Sequence, residues 1–191
     1  MKIGVLALQG AFIEHIEILR RLKVEASPIC LPKELDGLDG LIIPGGESTT
    51  ISRLMLDFQL MSPVKDLAKA GLPVLGTCAG MILLAKEVSH FSLETLGLMD
   101  IKVRRNAFGR QVDSFETNLE MPALGEPPFH AIFIRAPAIE KADSKVKILA
   151  KLSNGTVVAA RQGKLVAAAF HPELTEDLRF HRYFLDIVAS G

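Results

Sequence analysis

The feature that most restricts the fold of this chain is the alternation of short apolar runs with segments of helical periodicity. Four runs predict buried strands: KIGVLAL (residues 2–8), EASPI (25–29), GLIIP (40–44) and PVLG (73–76). The segments between and after them predict helices, and they read FIEHIEILRRL, TISRLMLDF, SPVKDLAKA and GMILLAKEV. Because parallel strands need crossover connections, the alternation predicts a doubly wound, mainly parallel α/β sheet with helices on both faces.

The second half of the chain departs from this rhythm. Residues 96–116 lose the alternation, and VKILAKLSNGTVVAARQGKLVAAAFHP then contains three β-like runs separated by Asn154-Gly155 and Gln162-Gly163 turn signals. These runs predict a small antiparallel extension of the sheet, and DLRFHRYFLDIVA predicts a closing helix. No linker or internal repeat interrupts the sequence, so residues 1–191 are expected to form one domain.

Charge and cysteine content exclude several functional classes. Lysine plus arginine equal aspartate plus glutamate at 22 each, so no strong field favours nucleic acid or an anionic membrane surface. The two cysteines, Cys30 and Cys78, form no CxxC pair, which argues against a disulfide framework or structural zinc and favours a reducing cytoplasm. The first apolar stretch is too short for a signal peptide, and no run approaches membrane-spanning length.

Cys78 follows the predicted strand PVLG, where ligands of α/β sheets bind. Gly76 and Gly80 bracket it as G-x-C-x-G, the cysteine counterpart of the G-x-S-x-G elbow that exposes a nucleophile. A helix beginning near Ala79 would favour the thiolate and supply a backbone N–H to an oxyanion. A buried core cysteine remains the alternative.

Two further strand ends carry polar motifs. In LIIPGGESTT, Gly45 and Gly46 predict either an anion-binding nest or an ordinary turn, and no Walker lysine follows. In AAAFHPELTED, His171 and Glu173 suit a general base and the carboxylate that orients it. A strand-end histidine with no chemical role, or a metal site that also includes Cys78, stays open. His15, His90, His130 and His181 are interpreted as surface or packing residues.

Together the three junctions predict a thiol-dependent acyl transferase or hydrolase. PGGES, GTCAG and HPE, in this order, resemble the class I glutamine amidotransferases, which have a flavodoxin-like sheet. GVLALQGAFIEH, IIPGGESTT, GTCAGMILLAK, RNAFGRQVDSFE, FIRAP and FHPELTED more narrowly resemble the glutaminase subunits of pyridoxal 5'-phosphate synthase, and the similarity covers nearly the whole chain.

The resemblance implies a role for each matching residue. Cys78 would be the nucleophile, His171 the general base and acid, and Glu173 its orienting carboxylate, with backbone N–H groups of Gly46 and Ala79 as the oxyanion hole. No metal or cofactor is implied. Contacts to glutamine would come from Gly46, Glu47, Ser48, Arg105, Ile134 and Arg135. The arginines suit a carboxylate, although solvated, ion-paired arginines are the alternative.

The resemblance also implies a partner, because ammonia released into water is protonated and lost as a nucleophile. That partner would be the barrel-shaped synthase subunit, in a large hetero-oligomer, docked near residues 9–15. Ile13 stands where relatives often have a charged residue, and Arg104 where many have glutamate. Two alternatives remain: a glutaminase serving another synthase, such as that of the histidine pathway, and a catalytically silent binding module on the same fold.

Overall fold

The structure is a computed structural model that describes residues 1–109 and 113–190. Arg110, Gln111 and Val112 of the RNAFGRQVDSFE motif therefore lie outside the described residues. The helices are α1 (Phe12–Arg21), α2 (Ser48–Asp57), α3 (Met61–Lys69), α4 (Ala79–Leu84) and α5 (Arg179–Ala189). The strands are β1 (Lys2–Leu6), β2 (Glu25–Ile29), β3 (Gly40–Ile43), β4 (Val74–Thr77), β5 (Ala85–Val88), β6 (Met99–Arg104), β7 (Ser114–Leu119), β8 (Phe129–Ile134), β9 (Ala138–Ala142), β10 (Lys147–Lys151), β11 (Val157–Gln162) and β12 (Leu165–Ala168).

The main sheet has a parallel half in the order β2-β1-β3-β4-β12. This is the flavodoxin-like order, with β12 in the place of the fifth strand. β3 and β4 are buried along their whole length, as the short apolar runs predict. The doubly wound, mainly parallel α/β fold expected from the sequence is thus confirmed.

The other half continues from β12 through β11, β9, β6 and β5, while β10 pairs with β11. Its pairings are antiparallel except for the last, because β5 runs parallel to β6. β10, β11 and β12 are the three runs predicted as an antiparallel extension, and their pairing is antiparallel. β12 also runs parallel to β4, so it joins the two halves of the sheet. A separate pair, β7 with β8, makes a small two-stranded antiparallel sheet.

Helices cover both faces of the parallel half. A Cβ on Gly40 would meet Val188 and Phe184 of α5, whereas a Cβ on Gly80 of α4 would meet Ile43. Side chains of a strand alternate between faces, so Gly40 and Ile43, three positions apart on β3, point to opposite sides. α5 and α4 therefore lie on opposite faces of the sheet.

One predicted helix is wrong in its second half. GMILLAKEV was expected to be helical, but α4 ends at Leu84 and Ala85–Val88 forms β5. β5 pairs with β6, with Ala85 opposite Met99 and Val88 opposite Val103. Pairing with a strand distant in sequence overrides the local helical periodicity, which is a weak preference over so short a segment.

Candidate active site

Cys78 occupies a sharp strand-to-helix elbow. It follows β4 directly, precedes α4, and has a positive φ of 49°. A Cβ on Gly76 would lie 2.5 Å from the carbonyl oxygen of Gly80, and a Cβ on Gly80 would lie 2.0 Å from that of Ile43. Only glycine fits at both flanking positions. The G-x-C-x-G pattern therefore forms the predicted elbow.

His171 and Glu173 arrive from the neighbouring strand. β12 runs parallel to β4 with Ala168 opposite Thr77, so the chain after β12 emerges at the same sheet edge as Cys78. The backbone N–H of His171 donates to Ile132 at 2.8 Å, and a short 3-10 helix at Pro172–Leu174 follows. Nδ1 of His171 lies 2.6 Å from Oε1 of Glu173, and both residues are buried.

The glycine junction closes this site. A Cβ on Gly45 would lie 2.4 Å from Cε1 of His171 and 3.3 Å from Cβ of Cys78. The absence of a side chain at Gly45 is thus what lets β3, β4 and β12 bring their ends together. All three polar junctions singled out in the sequence converge on one place.

The buried site favours a positively charged His171. Burial alone would lower the pKa of this imidazole, but hydrogen bonds to Cys78 and Glu173, and the charges of both, raise it to about 10. Burial acts in the opposite direction on Glu173, yet His15 and His171 hold the pKa of its carboxyl below the usual value. An imidazolium between a sulfur and a carboxylate is the arrangement that a thiol nucleophile requires.

A cleft of about 140 Å³ opens onto Cys78. Cys78, Ala79 and His171 form part of its lining, together with Ile82 and Asn106, which the sequence had not singled out. All the residues expected to contact glutamine also line the cleft: Gly46, Glu47, Ser48, Arg105, Ile134 and Arg135. The structure therefore brings every predicted site residue together.

The polar groups of the cleft differ in how they are already paired. The Ser48 hydroxyl at the start of α2 is buried and has no hydrogen-bond partner among the described residues. Arg105 forms an ion pair with Glu47 at 2.8 Å and lies over the ring of Phe91 at 4.3 Å. Arg105 is therefore ion-paired, as the alternative interpretation of this residue required, and it also lines the cleft.

The residues of the two expected oxyanion donors, Gly46 and Ala79, line the same cleft as Cys78. Ala79 is the first residue of α4, where a backbone N–H has no intrahelical acceptor. The carbonyl of Gly45 accepts from the backbone N–H of Ala11 at 3.0 Å. Because C=O and N–H point in opposite directions across a trans peptide, the N–H of Gly46 is directed away from Ala11.

Sequence reasoning missed a buried polar group behind the triad. His15 on α1 and His181 on α5 were interpreted as surface or packing residues, yet both are fully buried and His15 contacts Glu173 at 3.3 Å. A signal existed, because His15 lies three residues after Phe12 and four before Leu19, on the apolar face of α1. Among the described residues, no group of three His, Cys, Asp or Glu side chains is arranged to hold a metal ion.

The protein has a buried cysteine, histidine and glutamate at the carboxyl edge of a flavodoxin-like sheet. This combination is typical of the class I glutamine amidotransferases, and the protein is of that class. A model of the SNO glutamine amidotransferase family matches residues 5–190, and the chain belongs to that family. It is 60% identical to the "Pyridoxal 5'-phosphate synthase subunit PdxT" of Herpetosiphon aurantiacus, over 98% of this chain and 100% of the relative.

Two further comparisons agree. The subunit of the same name from Dehalococcoides mccartyi is 61% identical over 98% of this chain and 97% of its own length. A solved structure described as "Crystal structure of glutamine amidotransferase" superposes with a TM-score of 0.93 at 49% identity, covering 98% of both chains. The resemblance to glutaminase subunits of pyridoxal 5'-phosphate synthase is thereby confirmed. None of the helices in the described part of the chain has the length and apolar character needed to cross a membrane.

Proposed function

We propose that residues 1–191 act as one glutaminase domain in which Cys78 is the nucleophile, His171 the general base and acid, and Glu173 the carboxylate that orients His171. One observation carries this proposal: Cys78 and the His171–Glu173 pair meet at one edge of the sheet. Within the pair, Nδ1 of His171 lies 2.6 Å from Oε1 of Glu173. Cys78 follows β4, whereas His171 and Glu173 follow β12 and are far from Cys78 in the sequence, so only the fold brings these groups together.

The first half-reaction breaks the side-chain amide of glutamine. The Cys78 thiolate attacks the amide carbon, and the developing oxyanion accepts hydrogen bonds from the backbone N–H groups of Gly46 and Ala79. The His171 imidazolium donates its proton to the departing nitrogen, which leaves as ammonia. A γ-glutamyl thioester and a neutral His171 remain.

The second half-reaction restores the enzyme. His171 takes a proton from water as the water oxygen attacks the thioester carbon, and the tetrahedral intermediate then expels the Cys78 thiolate. Glutamate leaves with the new oxygen, and His171 is again an imidazolium. Glu173 keeps the imidazole oriented through both halves, because its Oε1 remains the acceptor for Nδ1.

We propose that the α-carboxylate and the α-ammonium of glutamine bind to the walls of the cleft. Arg105 and Arg135 supply guanidinium groups for the α-carboxylate, and Glu47 supplies an anion for the α-ammonium. The unpartnered Ser48 hydroxyl offers a further hydrogen bond to a bound substrate. The backbone carbonyl of Ile134, which lies 3.9 Å from the Cys78 sulfur, offers an acceptor for the NH2 group of the scissile amide.

We further propose that the chain docks on the synthase subunit of pyridoxal 5'-phosphate synthase and delivers ammonia to it, in a large hetero-oligomer. The names of the relatives support this partner. Residues 9–15 supply the proposed contact surface, since Gln9 and Ala11 hydrogen-bond to the Gly45–Glu47 segment beside Cys78. A cytoplasmic location is proposed because a thiol nucleophile must stay reduced.

The proposal is tested by measuring glutamate released from glutamine. The wild-type chain and Cys78→Ala are assayed with and without the cognate synthase subunit. Cys30→Ala is a matched control, because it removes the other free cysteine, which is far from the triad in sequence and does not line the cleft. We expect partner-stimulated release from wild type and Cys30→Ala, and loss in Cys78→Ala.

Release that survives Cys78→Ala would overturn the assignment of the nucleophile. No release from wild type in any mixture would instead indicate the silent binding module on the same fold. Release stimulated by a different synthase, and not by the cognate one, would place the glutaminase in another pathway.

A further inference from the structure

A buried polar cluster lies directly behind the catalytic carboxylate, and the mechanism above makes no use of it. His15 of α1, His181 of α5 and Thr77 at the end of β4 are all fully buried. Thr77 immediately precedes Cys78, and His15 faces Glu173. Buried polar side chains need compensating partners, so the arrangement of hydrogen atoms in this cluster is restricted.

His15 is at the centre of this cluster. Its Nε2 lies 3.3 Å from Oε2 of Glu173 and 3.2 Å from Oγ1 of Thr77, while its Nδ1 lies 2.9 Å from Nε2 of His181. Oε1 of Glu173 is occupied by His171, whereas Oε2 is buried and has no hydrogen bond among the described residues. His15 Nε2 is the polar atom that faces this second carboxylate oxygen.

At neutral pH, burial favours the neutral form of both histidines of the cluster. Burial lowers the pKa of His15, and this effect outweighs the opposite effect of the Glu173 charge. Among the smaller effects, the charge of His171 lowers this pKa and the charge of Glu14 raises it. Burial also lowers the pKa of His181 well below its usual value, and His15 adds to the effect. Each ring therefore carries one N–H, which must be on one nitrogen or the other.

The carboxylate decides between the two tautomers. An ionised carboxylate oxygen only accepts, so the N–H of His15 belongs on Nε2, which is 3.2 Å from the hydroxyl oxygen of Thr77 and faces Oε2 of Glu173 at 3.3 Å. His15 Nδ1 is then an acceptor, and His181 Nε2 must donate to it. This leaves Nδ1 of His181 without a hydrogen, in agreement with the lack of a partner at that atom among the described residues. The opposite tautomers would bury an N–H of His181 with no acceptor.

We propose that His15 is a positioning residue for the triad: its Nε2–H faces and stabilises Oε2 of Glu173, and the donor at Nε2 of His181 fixes the tautomer that makes this contact favourable. The inference rests on the proposed glutaminase function of Cys78, His171 and Glu173. It assigns a role to two buried histidines that do not touch the substrate cleft.

The consequence for catalysis follows from the charges. Glu173 stabilises the His171 imidazolium, and the imidazolium in turn stabilises the Cys78 thiolate. Without the N–H of His15, one oxygen of the buried carboxylate loses its nearest donor, so the anionic form of Glu173 becomes less favourable. The thiolate should then form only at higher pH, and the imidazole should be held less firmly in its productive orientation.

The experiment compares His15→Leu with His15→Gln. Leucine fills the space without a donor, whereas the side-chain Nε2 of glutamine can occupy the place of the imidazole Nε2 and keep an N–H there. kcat and KM for glutamine are measured on the complex with the synthase subunit. The pH dependence of Cys78 alkylation by iodoacetamide is measured on the chain alone, because it reports the thiolate directly.

We expect His15→Leu to lower kcat about tenfold, the effect of losing one polar contact to a charged group, with KM changed by less than about twofold. The pH of half-maximal alkylation should rise by about half a unit or more. His15→Gln should recover most of both losses. His181→Phe, which removes the donor to Nδ1, should change both quantities in the same direction as His15→Leu.

Leu19→Ala is the matched control for folding, because Leu19 is fully buried on the same helix and carries no polar group. It should lower the midpoint of thermal unfolding and leave the alkylation profile of Cys78 in place. An unchanged kcat and alkylation profile in His15→Leu would overturn the inference, as would equal losses in His15→Leu and His15→Gln. Failure of wild type to release glutamate would instead overturn the proposed function.

Discussion

Cys78 is held at a positive φ of 49°, a conformation that costs a residue with a side chain about 1–3 kcal/mol. Its backbone N–H donates to the carbonyl of Ala168 at 2.7 Å, and the flanking glycines make the close approaches that no larger residue permits. The strain is therefore balanced by the sheet around it, and the thiol is exposed to the cleft in a fixed direction.

The charge state of His171 gives a prediction at the same scale. Its pKa of about 10 depends on hydrogen bonds to Cys78 and Glu173 that outweigh the lowering effect of burial. Cys78→Ala removes the first of these, so the pKa of His171 should fall below 10. The pH titration of the His171 Cε1–H signal by NMR measures this in wild type, in Cys78→Ala and in Cys30→Ala, where no change is expected.

The same shift has a consequence for stability. Because the folded-state pKa of His171 is raised above the ordinary 6.5, the stabilisation from its protonation is fully present below pH 6.5. It is lost as the pH rises through about 10. In Cys78→Ala that loss should begin at lower pH, and an identical NMR midpoint in wild type and Cys78→Ala would contradict the role assigned to the sulfur.

At the scale of elements, α1 has two functional faces. His15, Ile16, Ile18 and Leu19 are buried, and His15 reaches Glu173. Ile13, on the exposed face, is 55% exposed although it is a large apolar residue. An exposed isoleucine next to the active-site edge fits a surface that a partner covers.

Ile13→Asp should weaken docking of the synthase subunit by at least about tenfold in Kd, or about 1.4 kcal/mol, because it places a charge in an apolar contact. Glutaminase stimulation should fall at subsaturating synthase and recover when the synthase is raised. Binding is measured by calorimetry or light scattering.

Leu56→Asp is the control for that experiment. Leu56 lies on α2 and is 49% exposed, so it matches Ile13 in exposure but not in position. Equal weakening by the two substitutions would show that the effect is one of general surface charge and would remove α1 from the proposed interface.

At the scale of the whole molecule, a cluster of buried phenylalanines joins the small sheet to the large one. Phe129 and Phe133 of β8 contact Phe170, which follows β12, and Phe170 contacts Phe180 of α5. Ring centroids in these pairs are 5.1 to 5.8 Å apart, within the favourable range for aromatic contacts. Because Phe170 immediately precedes His171, the same packing that joins the layers also positions the proposed general base.

Phe170→Ala should lower the free energy of unfolding by about 3–5 kcal/mol, since it leaves a cavity in a fully buried site. kcat should also fall under conditions where the protein remains folded, because the backbone at His171 loses its support. Urea unfolding and glutamate release measure the two effects.

Phe58→Ala provides the comparison. Phe58 is 44% exposed at the end of α2, so its loss should change the free energy of unfolding by less than about 1 kcal/mol and leave kcat unchanged. If Phe170→Ala were destabilised to the expected extent but kept full kcat, the packing would not be what locates His171.

The sequence by itself determined most of the strands and helices with strong local patterns, and it placed Cys78, Gly46, His171 and Glu173 at strand ends. These are short-range properties: hydrophobic periodicity and the need for glycine at close approaches act over a few neighbouring residues. The sequence left a structural role open for each of these four residues. The family resemblance then supplied the proposed contacts of Arg105 and Arg135 with glutamine, which the local sequence pattern left open.

The tertiary structure alone decided the rest. β5 became a strand because β6 offered backbone partners, although its sequence continues a helical pattern. His15 became part of the site through contacts with Glu173 and with His181, which lies 166 residues away, and only the order of strands and helices brings them together. Long-range contacts of this kind depend on which elements become neighbours, and local sequence patterns carry no information about that choice.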